Sequence, residues 1–329
     1  MLRGTASQGG LESSLTRPYS ARMERLDGGS AVPAPFRGGI VALGNFDGFH
    51  KGHQAVVGRA VARARAEGRP ALVATFDPHP MRFFRPDSPW FRLTTMDQRA
   101  RLFAAAGVDA MYVFRFDAEF AAAAPEAFVT HWLAGRLGAA GVVTGEDFTF
   151  GRDRGGDVRL LAELGQATGF TAEAVPPVTE DGLPVSSSRI REALRAGDCE
   201  TAARLLTRPF TIEGVVEHGD KRGRTIGYPT ANLALDRYLR PRFGIYAARG
   251  LLEDGRILEG AANLGIRPTF QPPKELLEPY FFDFSGDLYG RAIAVELISF
   301  IRPEAKFDSV EQLAAQMDLD CAEARRRLG

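Results

Sequence analysis

Hydrophobic positions change their period once along this chain. At 39–44 an unbroken Ile-Val-Ala-Leu run lies between glycines, the pattern of a short strand buried on both faces. Across 50–66 the apolar residues Val56, Val57, Ala60, Val61 and Ala64 recur at helical spacing as far as Gly68, which can close the helix as a left-handed cap. A second buried strand follows at 71–76, so strand, helix and strand form a βαβ unit with parallel strands under helices. The alternation continues through a helix at 97–106, a strand at 110–114, a helix at 125–137 and a strand at 141–144, which predicts a doubly wound α/β domain. Ser186, Ser187 and Ser188 precede a helix at 189–196 that stops at Gly197, and Asp198 can cap one more before Pro209.

Beyond Pro209 the period shortens to two. Short β-rich runs at 210–216, 244–252, 258–263, 280–284 and 292–301, mostly separated by glycine and proline, predict a small antiparallel barrel or sandwich. Helical sequence at 309–317 and 320–328 ends the chain, with Val310, Leu313, Ala314 and Met317 as the stripe that docks on the barrel. The resulting division is a flexible leader at 1–38, an α/β domain at 39–208 and a β-barrel domain with C-terminal helices at 209–329.

Charge narrows the function. The 41 basic and 41 acidic side chains cancel, so no net field draws the chain to nucleic acid or to an anionic membrane, and any phosphate chemistry is local. Apolar residues at 45% and charged residues at 25% are globular values, and 329 residues suffice for two cores. No apolar run approaches the roughly 18 residues that cross a bilayer, and the first 38 positions lack the apolar stretch of a secretory signal. Cys199 and Cys321 stand far apart without CxxC spacing, so neither a disulfide framework nor a thiolate zinc site is written here; a reducing cytoplasm fits, and no obligatory protein partner is evident.

Two segments carry candidate chemistry. His50-Lys51-Gly52-His53 stands just after a buried strand and a glycine-rich turn, at the first turn of a helix, where free backbone N–H groups and partial positive charge receive phosphate. Gly52 allows close backbone approach, and His50 and His53 share one face from which ring N–H groups can reach phosphoryl oxygens. A metal pair or two solvated histidines are the alternatives. Segments 75–80 (TFDPHP), 145–151 (GEDFTFG) and 185–191 (VSSSRIR) converge on the same edge if the sheet is doubly wound, and in the last the serines with Arg189 and Arg191 offer donors to a triphosphate or, more plainly, a helix cap with surface arginines.

The second segment is 214–233, GVVEHGDKRGRTIGYPTANL, in which Gly219, Gly223 and Gly227 form a flexible flap able to wrap phosphates, or simply turns. Thr230 and Asn232 supply hard oxygens suited to Mg²⁺. Glu278 lies at the mouth of a predicted strand, held extended by Pro279, where it can take a proton from a hydroxyl or stand as a solvated strand-end carboxylate.

The run from Gly44 to His53 (GNFDGFHKGH), then TFDPHP, GEDFTFG and VSSSRIR in this order, resembles the adenylyltransferase module of the bifunctional riboflavin kinase/FMN adenylyltransferase family, the bacterial FAD synthetases. NLGIRPTF at 263–270, Glu278 with the DF pair at 283–284, and DLYG at 287–290 resemble its riboflavin kinase module. The resemblance implies a Rossmann-like nucleotidyltransferase domain followed by a riboflavin kinase barrel. It also implies ATP, riboflavin and FMN as substrates, with Mg²⁺. His50 and His53 would stabilise the α-phosphate, and Ser187, Ser188 and Arg191 would hold pyrophosphate. Asn45, Asp47 and Asp147 would line the nucleotide and flavin pocket, with Gly44, Phe46, Gly52, Gly145, Phe148 and Arg189 in the same nucleotide site. Glu278 would be the kinase base. Ser188 stands where the family more often has Thr, which keeps the hydroxyl. Class I aminoacyl-tRNA synthetases share the HxGH pattern but carry a lysine-rich loop and a basic face, neither of which is present here. A flavin-binding sensor with one silent module is the alternative outside catalysis.

Overall fold

The computed structural model describes residues 23–218, 228–267 and 274–329. Its first half is a parallel sheet of β1 (Glu24–Asp27), β2 (Ile40–Leu43), β3 (Ala71–Asp77), β4 (Ala110–Arg115), β5 (Gly141–Gly145) and β6 (Thr171–Val175), in the order β1-β4-β3-β2-β5-β6. The helices between them are α1 (Lys51–Ala66), α2 (Pro80–Phe84), α3 (Met96–Ala105), α4 (Ala118–Ala122), α5 (Pro125–Ala127, continued as a π-helix at Phe128–Arg136) and α6 (Val158–Thr168). All of β2 is buried, yet it still alternates: Ile40 and Ala42 pack under Val57, Val61 and Phe103, while Val41 and Leu43 pack under Val129, Leu133 and Leu161. The chain builds outward from β2 to β3 and β4, then returns to the other side of β2 as β5. The order therefore reverses between β2 and β5, and a crevice opens at their carboxyl ends.

Part of the expected leader belongs to this sheet. Glu24–Asp27 pairs parallel with β4, and Val32 is buried. This strand is an edge with only Leu26 buried, so its sequence, ERLD, carries no hydrophobic run. The pattern also omitted α6 and the half-buried edge strand β6.

A two-residue hairpin, β7 (Thr179–Glu180) with β8 (Leu183–Pro184), leads into α7 (Ser187–Ala196) and α8 (Cys199–Leu206). This helical pair packs on the second domain as well as the first: Ile190, Leu194, Leu205 and Leu206 share a core with Phe210, Ile212, Tyr246 and Leu297. The second domain is an antiparallel barrel of β9 (Phe210–Val215), β10 (Leu233–Ala234), β11 (Gly244–Leu252), β12 (Ile257–Arg267), β13 (Lys274–Phe281) and β14 (Ala292–Arg302), ordered β10-β13-β12-β11-β14-β9. It is nearly closed where the Glu217 N–H donates to the Asn232 carbonyl at 2.8 Å.

Two expectations change here. The run read as 280–284 is β13, which starts at Lys274 and ends at Phe281, so Glu278 and Pro279 lie within a strand rather than at its mouth. The two C-terminal helical runs are one helix, α9 (Val310–Leu328), because nothing between Met317 and Asp320 breaks it. Val310 is exposed; the helix docks instead through Asp320, Ala324 and Leu328, with Asp320 clamped by Arg302 at 2.7 and 2.6 Å. Cys199 and Cys321 are free thiols. The domains meet through the Arg101–Glu213 ion pair at 2.5 Å, Gln98 Nε2 donating to the Thr211 carbonyl at 3.1 Å, and the Leu239 N–H donating to the Arg92 carbonyl at 2.8 Å.

Candidate active sites

The loop from β2 to α1 makes a tight bend at the sheet's reversal point, with left-handed backbone at Phe46, Gly48 and Phe49 (φ 50°, 88° and 44°). Phe46 is buried edge-on against His53, at 5.3 Å between ring centroids, and against Phe103. His50 is the cap of α1: its Nδ1 accepts the His53 backbone N–H at 3.4 Å, which places the proton of a neutral ring on Nε2. The two imidazoles stack with centroids 3.6 Å apart and planes 19° from parallel. A Cβ on Gly52 would stand 3.2 Å from His50 Cε1 and 3.5 Å from the Val185 carbonyl, so glycine lets the ring lie against the first helical turn. Burial pushes His50 down to about 4 and His53 well below its ordinary value, the latter with help from His50, Arg99 and Arg191. At neutral pH both rings are uncharged, and each brings one N–H.

Asp47 is almost wholly enclosed by the protein. It is 2% exposed, and its carboxylate accepts the Leu93 and Thr94 N–H groups, the Thr94 hydroxyl and the Arg191 guanidinium, the last at 2.7 Å. Burial alone would raise its pKa; Arg99 and Arg191 outweigh that and hold the carboxyl below its usual range. Ser187 Oγ donates to the Asp47 carbonyl at 2.9 Å, Ser186 caps α7, and Ser188 is exposed. Arg189 is engaged by the Glu180 and Leu183 carbonyls and by Asp181, so it closes its own hairpin; Lys51 fastens the same hairpin to α1 through Glu180 at 2.6 Å. On the β5 side Gly145 and Phe148 are half-buried and Asp147 is exposed. Gly44 and Asn45 are half-buried; the Asn45 carbonyl accepts Thr75 Oγ1 at 3.0 Å and Arg99 Nη1 at 2.9 Å, while its Oδ1 has no partner. Arg99 and Thr94 were not singled out from the sequence. Arg99 shares a helical stripe with Met96 and Phe103, and an arginine in such a stripe is the only signal it gives.

In the barrel, Glu278 of β13 lies opposite Asn263 of β12. On its other side, the Leu233–Leu277 pairing and the Ala231 N–H bond to the Pro279 carbonyl bracket buried Asn232 beside it. Leu264 and Leu277 face the barrel core, so alternation turns Asn263 and Glu278 to the outer face, the one carrying Tyr280 beside α9. Among the described residues Asn263 Oδ1 has no partner, and Glu278 is paired with Arg267, which also has Glu304 at 3.5 Å. Thr230 is half-buried two positions before Asn232. An adjoining cleft of about 310 Å³ is lined by Tyr228, Tyr280, Phe282, Asp318, Cys321 and Arg325. Gly219, Gly223 and Gly227 lie outside the described residues.

A helix start at the reversal point of a parallel sheet, joined to a barrel that seats a carboxylate between two asparagines, defines a chain with two unlike sites for nucleotide chemistry. The comparisons agree. A family model for FAD synthetase matches residues 33–189, and one for riboflavin kinase matches residues 206–328. The bifunctional riboflavin kinase/FMN adenylyltransferase of Escherichia coli (strain K12) is 39% identical over 296 residues, 90% of this chain and 95% of its own length. The proteins of that name from Pseudomonas fluorescens and Bacillus subtilis (strain 168) are 41% and 38% identical, covering 88% and 87% of this chain and 93% and 92% of their own. A crystal structure described as a macrolide-efflux protein from Streptococcus pneumoniae has the same arrangement, with TM-score 0.82 and 33% identity over 92% of this chain and 98% of that one. The chain belongs to the bifunctional riboflavin kinase/FMN adenylyltransferase family, and it converts riboflavin to FMN and FMN to FAD.

Proposed function

We propose that the two reactions are divided between the two sites as follows. In the barrel, Glu278 takes the proton of the terminal ribityl hydroxyl as that oxygen attacks the γ-phosphate of ATP and ADP leaves. The side-chain oxygens of Thr230 and Asn232 fit Mg²⁺, an ion that favours one or two protein oxygens together with substrate phosphates, and bound there it would neutralise charge on those phosphates. The aromatic cleft of Tyr228, Tyr280 and Phe282 is suited to a flat heteroaromatic ring and adjoins Glu278 through Tyr280. For this chemistry Arg267 must yield Glu278 to the incoming hydroxyl, and Glu304 stands ready as its second carboxylate.

In the α/β domain, the FMN phosphate attacks the α-phosphorus of ATP and pyrophosphate leaves. Neutral His50 and His53, at the free N–H groups of α1, donate to the α-phosphoryl oxygens as charge builds on them. Ser187, Ser188 and Arg191 at the start of α7 face the departing pyrophosphate, with Arg191 also anchoring Asp47. Gly44, Phe46, Gly145, Asp147 and Phe148 frame the nucleotide crevice between β2 and β5. Two free thiols suit a cytoplasmic setting, and among the described residues no helix is long and apolar enough to cross a membrane.

The observation that carries the division is the pair of separate polar centres: stacked imidazoles at the α1 cap and Glu278 between Asn232 and Asn263. Glu278→Gln should cut FMN formation by about 10²- to 10⁴-fold, as general-base loss does, while supplied FMN still becomes FAD in a chromatographic assay. Equal loss of both activities would refute the assignment.

A further inference from the structure

Arg99 has no part in any of the sequence motifs, yet it is 1% exposed, among the most deeply buried large side chains of the protein. Removing a guanidinium from water is costly unless neighbours answer it fully, and here they do not: Nη1 reaches the Asn45 carbonyl at 2.9 Å, but among the described residues Nε has no partner. The carboxylate beside it, Asp47, is already ion-paired with Arg191. Asp77 also acts on Arg99, but Asp77 is paired with Arg92 as Asp47 is with Arg191, so the region behind the imidazoles carries surplus positive charge before any substrate arrives. The Asn45 carbonyl opens the loop that carries Phe46, Gly48 and Phe49 in left-handed conformations and ends at the His50 cap. Among the described residues, Thr75 shares with Arg99 the task of holding that carbonyl.

We propose that Arg99 is a positioning residue for adenylyl transfer: its guanidinium fixes the 45–50 loop, and with it the ring positions of His50 and His53, and supplies a fixed buried charge behind them. The proposal rests on the reading of those histidines as the groups that meet the α-phosphate. Charge and geometry act together. His53 is faced by His50 from the helix cap, by Arg99 from α3 and by Arg191 from α7, and His50 is faced by Asp47, Arg191 and Arg208. Burial keeps the rings neutral donors and these cations act in the same direction, while the polyphosphate meets a preset positive field.

Arg99→Met and Arg99→Lys separate the two contributions. The readouts are FAD formation from supplied FMN, with kcat and KM for ATP, the kinase rate as a folding control, and the NMR titration of the His53 ring. Arg99→Met should lower kcat for FAD formation about 10²-fold, the scale of a small displacement of catalytic groups, and move the His53 titration upward, with the kinase rate unchanged. Arg99→Lys keeps the charge but lacks the planar fork, so the ring titration should stay low while kcat falls. FAD formation within two-fold of wild type in Arg99→Lys, or an unmoved His53 titration in folded Arg99→Met, would overturn the proposal; if Arg99→Met does not fold, the lysine variant decides alone. His53→Ala in the same assay distinguishes the failures: if it too costs nothing, the assignment of the histidines is at fault rather than that of Arg99.

Discussion

At the scale of single residues, the α/β site is organised by buried and half-buried groups. His50 remains neutral in the folded chain until pH falls to about 4, whereas the unfolded ring takes a proton below about 6.5. The stability it contributes is thus complete above 6.5 and is lost as pH falls toward 4, by at most roughly 3 kcal/mol. His79, which caps α2 and is also pushed to about 4 by burial, acts in the same direction. Asp47, held below its usual range, adds stability that persists until more acidic pH. Urea midpoints should fall steadily between pH 6.5 and 4.5, and a flat profile over that window would mean the rings are solvated. The sequence showed the HxGH residues because their spacing is local. It did not show that Asp47 is buried, because its partners at Leu93, Thr94 and Arg191 are far away in the chain, so a motif carboxylate destined for solvent and one destined for burial read alike.

Among the elements, strands and helices with a continuous apolar face were legible before folding: β2, α1, β3 and β11 lie where periodicity placed them, while β1 and β6 are edges with too little burial to leave a pattern. α6 could have been found from Asp157, which caps it, and Gly169, which ends it at φ 91°. β13 was shifted because Pro279 reads as a strand breaker, yet this proline is tolerated inside the strand, its carbonyl still accepting the Ala231 N–H. The loop between β2 and α1 offers the sharpest test at this scale. Gly48 has φ 88°, and a Cβ there would stand 2.8 Å from Leu93 Cδ1. Gly48→Ala should cost about 1–3 kcal/mol in thermal unfolding and reduce FAD formation more than FMN formation; equal effects on both would show that the loop does not serve the α/β site alone.

For the whole molecule, the domains are not beads on a linker. The core that closes the barrel includes Leu93 and Val185 from the α/β side together with α7 and α8, and Leu206 also lies against the loop at Gly48. Composition and spacing gave two folds but could not show this shared core, because its members come from segments far apart in the chain. Leu206→Ala should therefore cost the roughly 2–5 kcal/mol of a buried leucine truncation and lower the thermal midpoint of both activities together. A midpoint shifted for the kinase alone would place that leucine in the barrel's core only.

The central claim is that one chain carries two independent centres acting in sequence on one flavin. The most direct measurement mixes equal amounts of Glu278→Gln and His53→Ala with riboflavin, ATP and Mg²⁺ and follows flavins by chromatography. Alone, the first should leave riboflavin unreacted and the second should stop largely at FMN; together they should make FAD, because FMN released by one chain is adenylylated by the other. A mixture that makes no more FAD than His53→Ala alone, from chains in which each variant has lost both activities, would contradict it.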